Sequence, residues 1–237
     1  MNDKPNGERL GWRVLESTNL YSDTRFSVRR DRLQLPDGSE GVYTYPVKHG
    51  AVFILPITPA GELVLIRQYR YIVDAWLWEI PAGSTHDFNG GDYTDLVRRE
   101  LWEEIGGQAE AIYPLGQTFA APGFITTQVF GYLALGVTLA DTNHPENTEF
   151  IEIHPTPIPE ALDLLRTGEH TSAIDAYFVL QQEPLLRAIN ARVIRGCTFE
   201  NVVEETRCRM EEIRCHMQEI RDQMQDDCEI NESIRVF

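Results

Sequence analysis

Arg98-Arg99-Glu100-Leu101-Trp102-Glu103-Glu104-Ile105-Gly106-Gly107 combines a helix signal with a cluster of like charge. Tyr93, Val97, Leu101 and Ile105 recur every fourth residue, which predicts a helix from Asp92 to Ile105. Asp92 reads as its N-cap, and Gly106-Gly107 as its stop, because glycine enters the left-handed region without steric cost. On this helix Glu100, Glu103 and Glu104 stand at i, i+3 and i+4, so the three carboxylates leave one face. Such a cluster repels itself unless cations neutralise it. Oxygen donors on a helix face suit Mg²⁺ or Mn²⁺, hard ions that retain water and bridge to phosphate groups. Arg99, four residues before Glu103, can pair with it and hold its orientation. The alternative for any Glu-rich helix is a solvated face laced with salt bridges, and the glutamates alone do not decide between the two.

Outward from the helix, the N-terminal third has β character. Residues 11–17 and 25–35 alternate apolar with polar side chains, and Pro36-Asp37-Gly38 turns the chain into Gly41-Val42-Tyr43-Thr44-Tyr45. Two apolar runs, 51–56 and 63–69, are joined by Thr58-Pro59-Ala60-Gly61-Glu62 as a second hairpin with buried strands. Beyond the helix, 127–140 and 151–153 read as strands, and 159–166 and 172–195 as helices. The sum is an α/β (α+β) protein, a sandwich around a mixed sheet with an added tail.

In the tail, Val203, Thr206, Met210, Ile213, Met217, Ile220 and Met224 alternate three- and four-residue steps, the seam of a coiled coil or of a long helix docked by one face. Arg207, Arg209, Arg214, His216 and Arg221 flank this seam, and like charges there disfavour a simple homodimeric coil. The expected packing is on an acidic surface of the same or a neighbouring body. The four cysteines, Cys197, Cys208, Cys215 and Cys228, all lie in the last 41 residues; they cannot staple the body and are read as free thiols.

The 237 residues carry a formal charge of -16, which argues against non-specific nucleic-acid binding. A phosphorylated small molecule stays compatible, since bound cations reverse the local sign of an acidic site. No stretch approaches the roughly 20 apolar residues of a membrane span, and the N-terminal MNDKPNGERLGW has no apolar signal region. A cytoplasmic location without membrane association is expected.

The region around the acidic helix resembles the Nudix box, G-x5-E-x7-R-E-U-x-E-E-x-G-U with U aliphatic. Arg99-Glu100-Leu101, Glu103-Glu104 and Gly106 match every fixed position of its second half. The first half departs: Gly83 stands sixteen residues before Arg99 instead of fourteen, Gly91 takes the place of the first glutamate, and Gly107 that of the last aliphatic residue. Arg67-Gln68-Tyr69-Arg70, Trp78-Glu79-Ile80-Pro81-Ala82-Gly83, Ala121-Pro122-Gly123-Phe124 and Asn147-Thr148-Glu149-Phe150-Ile151-Glu152 are similar, in order, to blocks of the ADP-ribose pyrophosphatase-like branch. Pro122 lies sixteen residues after Gly106, a placement that in this superfamily goes with ADP-ribose hydrolysis.

The resemblance implies a Nudix α/β/α sandwich, with an N-terminal antiparallel β arm at 1–48, a catalytic domain at 49–195 and the heptad-patterned helix at 196–237. It implies Glu100 and Glu104 as principal metal ligands, Glu103 as ligand or water orienter, and the Ala82 carbonyl completing a Mg²⁺ or Mn²⁺ site. Arg99 supports catalysis, and Glu149 or Glu146 is the general base. Arg67, Arg70, Glu79, Trp78, Pro122 and Gly123 are the substrate-binding candidates. Surface or core roles remain open for each: an arginine on a strand edge is often merely solvated, and Glu79, which could hydrogen-bond the base or ribose, is read nearly as well as an ion pair with Arg67. The implied reaction converts ADP-ribose to AMP and ribose 5-phosphate. The alternatives are another nucleoside diphosphate sugar, such as GDP-mannose, or a non-catalytic nucleotide-sensing scaffold. A homodimer with exchanged arms fits the same branch.

Overall fold

The computed structural model describes residues 4–86, 88, 92–141, 150–168 and 170–234, with backbone alone at 214, 217 and 220–234. A short helix, α1 (Pro5–Arg9), precedes a three-stranded antiparallel sheet of β1 (Arg13–Ser22), β2 (Phe26–Gln34) and β3 (Glu40–Lys48). Strand β1 buries none of its side chains, and Leu15, Leu20, Tyr21, Phe26, Val42 and Tyr43 of this sheet are exposed. Asp31 and Leu33 are its buried residues, and Asp31, fully buried, accepts hydrogen bonds from Arg29 Nε (2.7 Å), Ser17 Oγ (2.6 Å) and Tyr45 Oη (2.7 Å). Burial alone would raise its pKa, but these bonds and the Arg29 charge hold the carboxyl below its ordinary value.

The central sheet begins with β4 (Ala51–Ile57) and β5 (Glu62–Arg70); a 3-10 turn at Tyr71–Val73 leads to β6 (Ala75–Glu79) and β7 (Ala82–Ser84). Helix α2 (Thr94–Ile105) follows, then β8 (Gly107–Gln108), β9 (Ala111–Phe119), β10 (Gln128–Leu135), β11 (Thr138–Leu139) and β12 (Ile151–Pro157). The chain ends in α3 (Ile158–Thr167), α4 (Ala173–Gln181), α5 (Glu183–Ile194) and α6 (Phe199–Ile234). The sheet order is β12-β5-β4-β10-β9, with β6 on β5 and β7 on β4; β4 and β10 run parallel and the other pairs antiparallel, so the sheet is mixed.

Alternation along the strands makes two cores. Val52, Ile54, Val64, Ile66, Tyr132 and Ala134 face α2, whose Leu96, Val97, Leu101 and Ile105 are fully buried. Leu55, Ile57, Leu63, Leu65, Leu133 and Leu135 face α3, α4 and α5, and Val202 and Met210 of α6 join that second cluster. Gly131 belongs there for a steric reason, since any β-carbon would overlap the ring of Phe178.

Several boundaries differ from the sequence expectations. Helix α2 starts at Thr94: Asp92 turns the chain beforehand, accepting from Thr94 N (3.0 Å) and Oγ1 (2.6 Å), and Tyr93 occupies the cap position. The hairpin between β4 and β5 pairs only at Ile57 with Leu63 and then splays, which lets β6 and β7 enter the sheet. The strand expected over 127–140 breaks at Gly136 (φ 67°), and β11 pairs with β8 in a separate ribbon. The single helix expected over 172–195 is two, because Pro184 has no N–H to donate and disfavours helical backbone in the residue before it.

Candidate active site

Burying Leu101 and Ile105 against the sheet rotates Glu100 and Glu104, one residue before each, toward the strand that precedes the helix. Their residues are only 9% and 4% exposed, whereas the Glu103 side chain is 44% exposed. Glu104 Oε2 accepts from the Ala82 amide at 3.1 Å. Glu100 lies directly against Gly83, where a β-carbon would overlap its carboxyl carbon. Glycine is therefore required there by the close approach of a carboxylate, not by a turn. Arg99 completes the cluster, with Nη2 donating to Glu100 Oε1 at 3.1 Å and Nε 3.7 Å from Glu103 Oε2.

Strand register sorts the remaining candidates. Ile66 pairs with Glu79 and Arg67 with Trp78, so Arg70 and Glu79 share the α2 side of the sheet while Arg67 and Trp78 take the other. The Glu79 carboxylate is clasped by Arg70, through Nε (3.0 Å) and Nη2 (2.6 Å), and its partner is thus Arg70 and not Arg67. Burial opposes the Arg70 charge, but Glu79, Glu104 and Asp175 together raise its pKa, which ties this pair to Glu104 of α2 and to Asp175 of α4. On the opposite side Arg67 lies over Trp76 (5.4 Å) and Trp78 (5.9 Å) and 3.5 Å from Glu152, while His154 stands edge-on to Trp78 at 4.9 Å.

Asp175 escaped the sequence reading. It is 2% exposed, donated to by Ile80 N at 2.8 Å and by the Ser172 hydroxyl, and so fastens α4 to the segment leading into Ala82-Gly83. Burial first, and then the Glu79 charge, push its carboxyl up to about 7, against the hydrogen bonds and Arg70. The signal was Ser172-x-x-Asp175 ahead of an apolar run, a relative of the capping box.

Pro122 and Gly123 form an exposed turn between β9 and β10. Ala51 pairs with both Ser84 and Val129, which places this turn and the loop after β7 at one end of the sheet. Glu146 and Glu149 lie outside the described residues. Among the described residues no three carboxylate, imidazole or thiol groups converge into a complete metal cage. The donors are instead two buried carboxylates and a rim carboxylate, all oxygen, beside a glycine that leaves no side chain in the way. That set fits an ion such as Mg²⁺, which is held by one or two carboxylates and keeps its other positions for water and substrate phosphate.

Comparison with known proteins identifies the family. The family model described as NUDIX domain matches residues 47–177, and that described as nucleoside diphosphate sugar hydrolase N-terminal domain matches 12–45. The chain is 35% identical over 167 residues to an ADP-ribose pyrophosphatase of Mycobacterium tuberculosis (68% of this chain, 78% of the relative). It is 28% identical over 180 residues to an ADP-ribose pyrophosphatase of Bacillus subtilis (74% and 96%). A solved structure titled as an ADP compounds hydrolase superposes with TM-score 0.65 at 21% identity, over 75% of this chain and 95% of the other, and shares the fold. With a catalytic-helix motif, a carboxylate cradle and a family model that all coincide on one segment, the chain belongs to the Nudix family of hydrolases.

Proposed function

We propose that this chain is a Mg²⁺- or Mn²⁺-dependent hydrolase of the diphosphate bond of ADP-ribose, yielding AMP and ribose 5-phosphate. The observation that carries the proposal is the burial of Glu100 and Glu104 against Ala82-Gly83. Two carboxylates one helical turn apart are costly to bury, and a cation at the site offsets that cost. Glu100, Glu104 and the Ala82 carbonyl would hold the divalent ion, which when bound activates water and stabilises charge on the departing phosphate. Glu103 orients water at the rim, and Arg99 fixes Glu100 and Glu103. Arg70, held by Glu79 along its Nε–Nη2 edge, offers the rest of its guanidinium to a phosphate oxygen. The Pro122-Gly123 turn, at the same sheet end as the loop after β7, borders the substrate. Arg67 and Trp78 contribute a stacking and hydrogen-bonding wall on the far side of the sheet edge. The proton acceptor is assigned to Glu149, or alternatively to Glu146.

The naming of two relatives as ADP-ribose pyrophosphatases supports this substrate over other nucleoside diphosphate sugars. The exposed apolar side chains of the β1–β3 sheet, Leu15, Leu20, Tyr21, Phe26, Val42 and Tyr43, support a homodimer built through the arm (1–48), with the catalytic unit at 49–195 and the C-terminal helix (196–237) packed on its own or the neighbouring body. A cytoplasmic enzyme is consistent with the finding that no described helix is long and apolar enough to cross a membrane. The decisive experiment is a substrate panel of ADP-ribose, GDP-mannose and UDP-glucose with Mg²⁺ or Mn²⁺ and identification of products. AMP with ribose 5-phosphate from ADP-ribose, at the highest kcat/KM, is expected. Turnover of none of the three would remove the proposal, and preference for GDP-mannose would move the substrate.

A further inference from the structure

The loop between β7 and α2 is two residues longer than the motif it resembles, and Phe88 within it bears on the acidic cluster. Its amide donates to Thr85 O at 3.1 Å, and its ring packs on the core beneath α2. The Arg99 guanidinium carbon lies over that ring, 5.1 Å from its centroid. Neighbouring residues on a helix point about 100° apart and do not face each other. Arg99 nevertheless donates to Glu100, the very next residue, so its side chain must bend across the helix surface. Its Nε is buried without a hydrogen-bond partner and stands 3.7 Å from Glu103, so that atom does not fix the guanidinium plane. The face of Phe88 is a second contact on the guanidinium, beside the hydrogen bond to Glu100.

We propose that Phe88 is a positioning residue that acts through Arg99: its ring sets the guanidinium between Glu100 and Glu103 and thereby tunes how tightly the acidic cluster binds a divalent cation. The proposal rests on the assignment of Glu100, Glu103 and Glu104 as the cation-binding group. The test is titration of the full chain with Mn²⁺, free Mn²⁺ being counted by electron paramagnetic resonance without substrate. Phe88→Leu keeps apolar bulk and removes the aromatic face, and is expected to weaken Mn²⁺ binding roughly three- to tenfold, the reach of a partly buried cation–π contact. Phe88→Tyr should bind within about twofold of the parent. In an Arg99→Met background, Phe88→Leu should cause no further loss, which a merely structural role would not predict. Parent-like binding by Phe88→Leu, or an equal loss in the Arg99→Met background, would overturn the proposal. Parent-like binding by Glu100→Gln and Glu104→Gln would instead sink the cation site itself, a separate failure with its own signature.

Discussion

Helices α2 and α6 draw on the same vocabulary of glutamate and arginine at three- and four-residue spacing, yet they do different things with it. In α6, Arg207 bridges Glu204 (3.0 Å) and Glu211 (3.4 Å), and all three side chains are about half exposed. In α2, Glu100 and Glu104 are buried while Arg99 binds along the rim. Exposed pairs of the α6 kind contribute little, since water and salt screen them. The buried pair in α2 requires something on the strand it faces: a glycine without a side chain and an amide aimed at a carboxylate oxygen. Charge spacing alone therefore does not make a site; the surface that the charges meet does.

The sharpest way to break that contrast is to neutralise one acid on each helix. Glu104→Gln keeps an oxygen for the Ala82 amide but loses the charge, and should lower kcat/KM by more than roughly 100-fold, beyond the usual cost of losing a supporting partner around a metal. Glu211→Gln should leave kcat/KM within about twofold, as expected for an exposed ion pair. Steady-state hydrolysis with saturating Mg²⁺ measures both, and similar values for the two variants would erase the distinction. A smaller effect comes from the surface opposite α2. Gly83→Ala places a methyl where the flexible end of Glu100 sits, so the carboxylate moves and the backbone need not. Mn²⁺ affinity should fall about tenfold, equivalent to about 1.4 kcal/mol, with a nearly unchanged thermal midpoint. A calorimetric Mn²⁺ titration beside a melting curve separates the two; a large fall in midpoint with normal affinity would mean that Gly83 serves the fold alone.

The same contrast explains what could be read from the sequence. The period of Val97, Leu101 and Ile105 placed α2 and its three glutamates, because helix period and charge spacing are local properties. The Glu79 partner also lay in the strand alternation, but only the register Ile66 to Glu79 identifies which arginine shares its face. Pro184 carried the break between α4 and α5 in plain view, and an otherwise continuous apolar pattern masked it. Asp175 was beyond local reading: its capping pattern is visible, yet its contact with Ile80 spans 95 residues and exists only once α4 packs on the sheet. In α6 the heptads continue through Met224, but the packed stripe in the body is Val202, Thr206 and Met210, shifted by one at its start, because α5 and β9 determine which side is covered.

Asp175 adds another way of keeping a buried acid, by a proton instead of by the amide and the glycine that receive Glu104 and Glu100. Its carboxyl goes from 3.8 to about 7 on folding, with burial the largest cause and Glu79 the next. Below pH 3.8 both folded and unfolded chains hold the proton, and the shift has no effect on stability. Between 3.8 and about 7 the unfolded chain ionises while the folded one does not, so stability falls as pH rises; above 7 both are ionised and the penalty is complete. At about 1.4 kcal/mol per pKa unit the penalty has an upper size of roughly 4 kcal/mol. Asp175→Asn keeps an oxygen for the Ile80 amide and cannot ionise, so it removes the slope. Its net gain is smaller, about 1 kcal/mol at pH 8, because hydrogen bonds to a charged acceptor are exchanged for neutral ones. Urea denaturation at intervals from pH 4 to 8 checks this: the parent midpoint should decline across that window and the variant midpoint should decline less. Equal declines would mean that Asp175 ionises freely inside the fold. It would then be a buried acid held by an opposite charge, and Arg70, whose pKa an ionised Asp175 raises, would be the group that holds it.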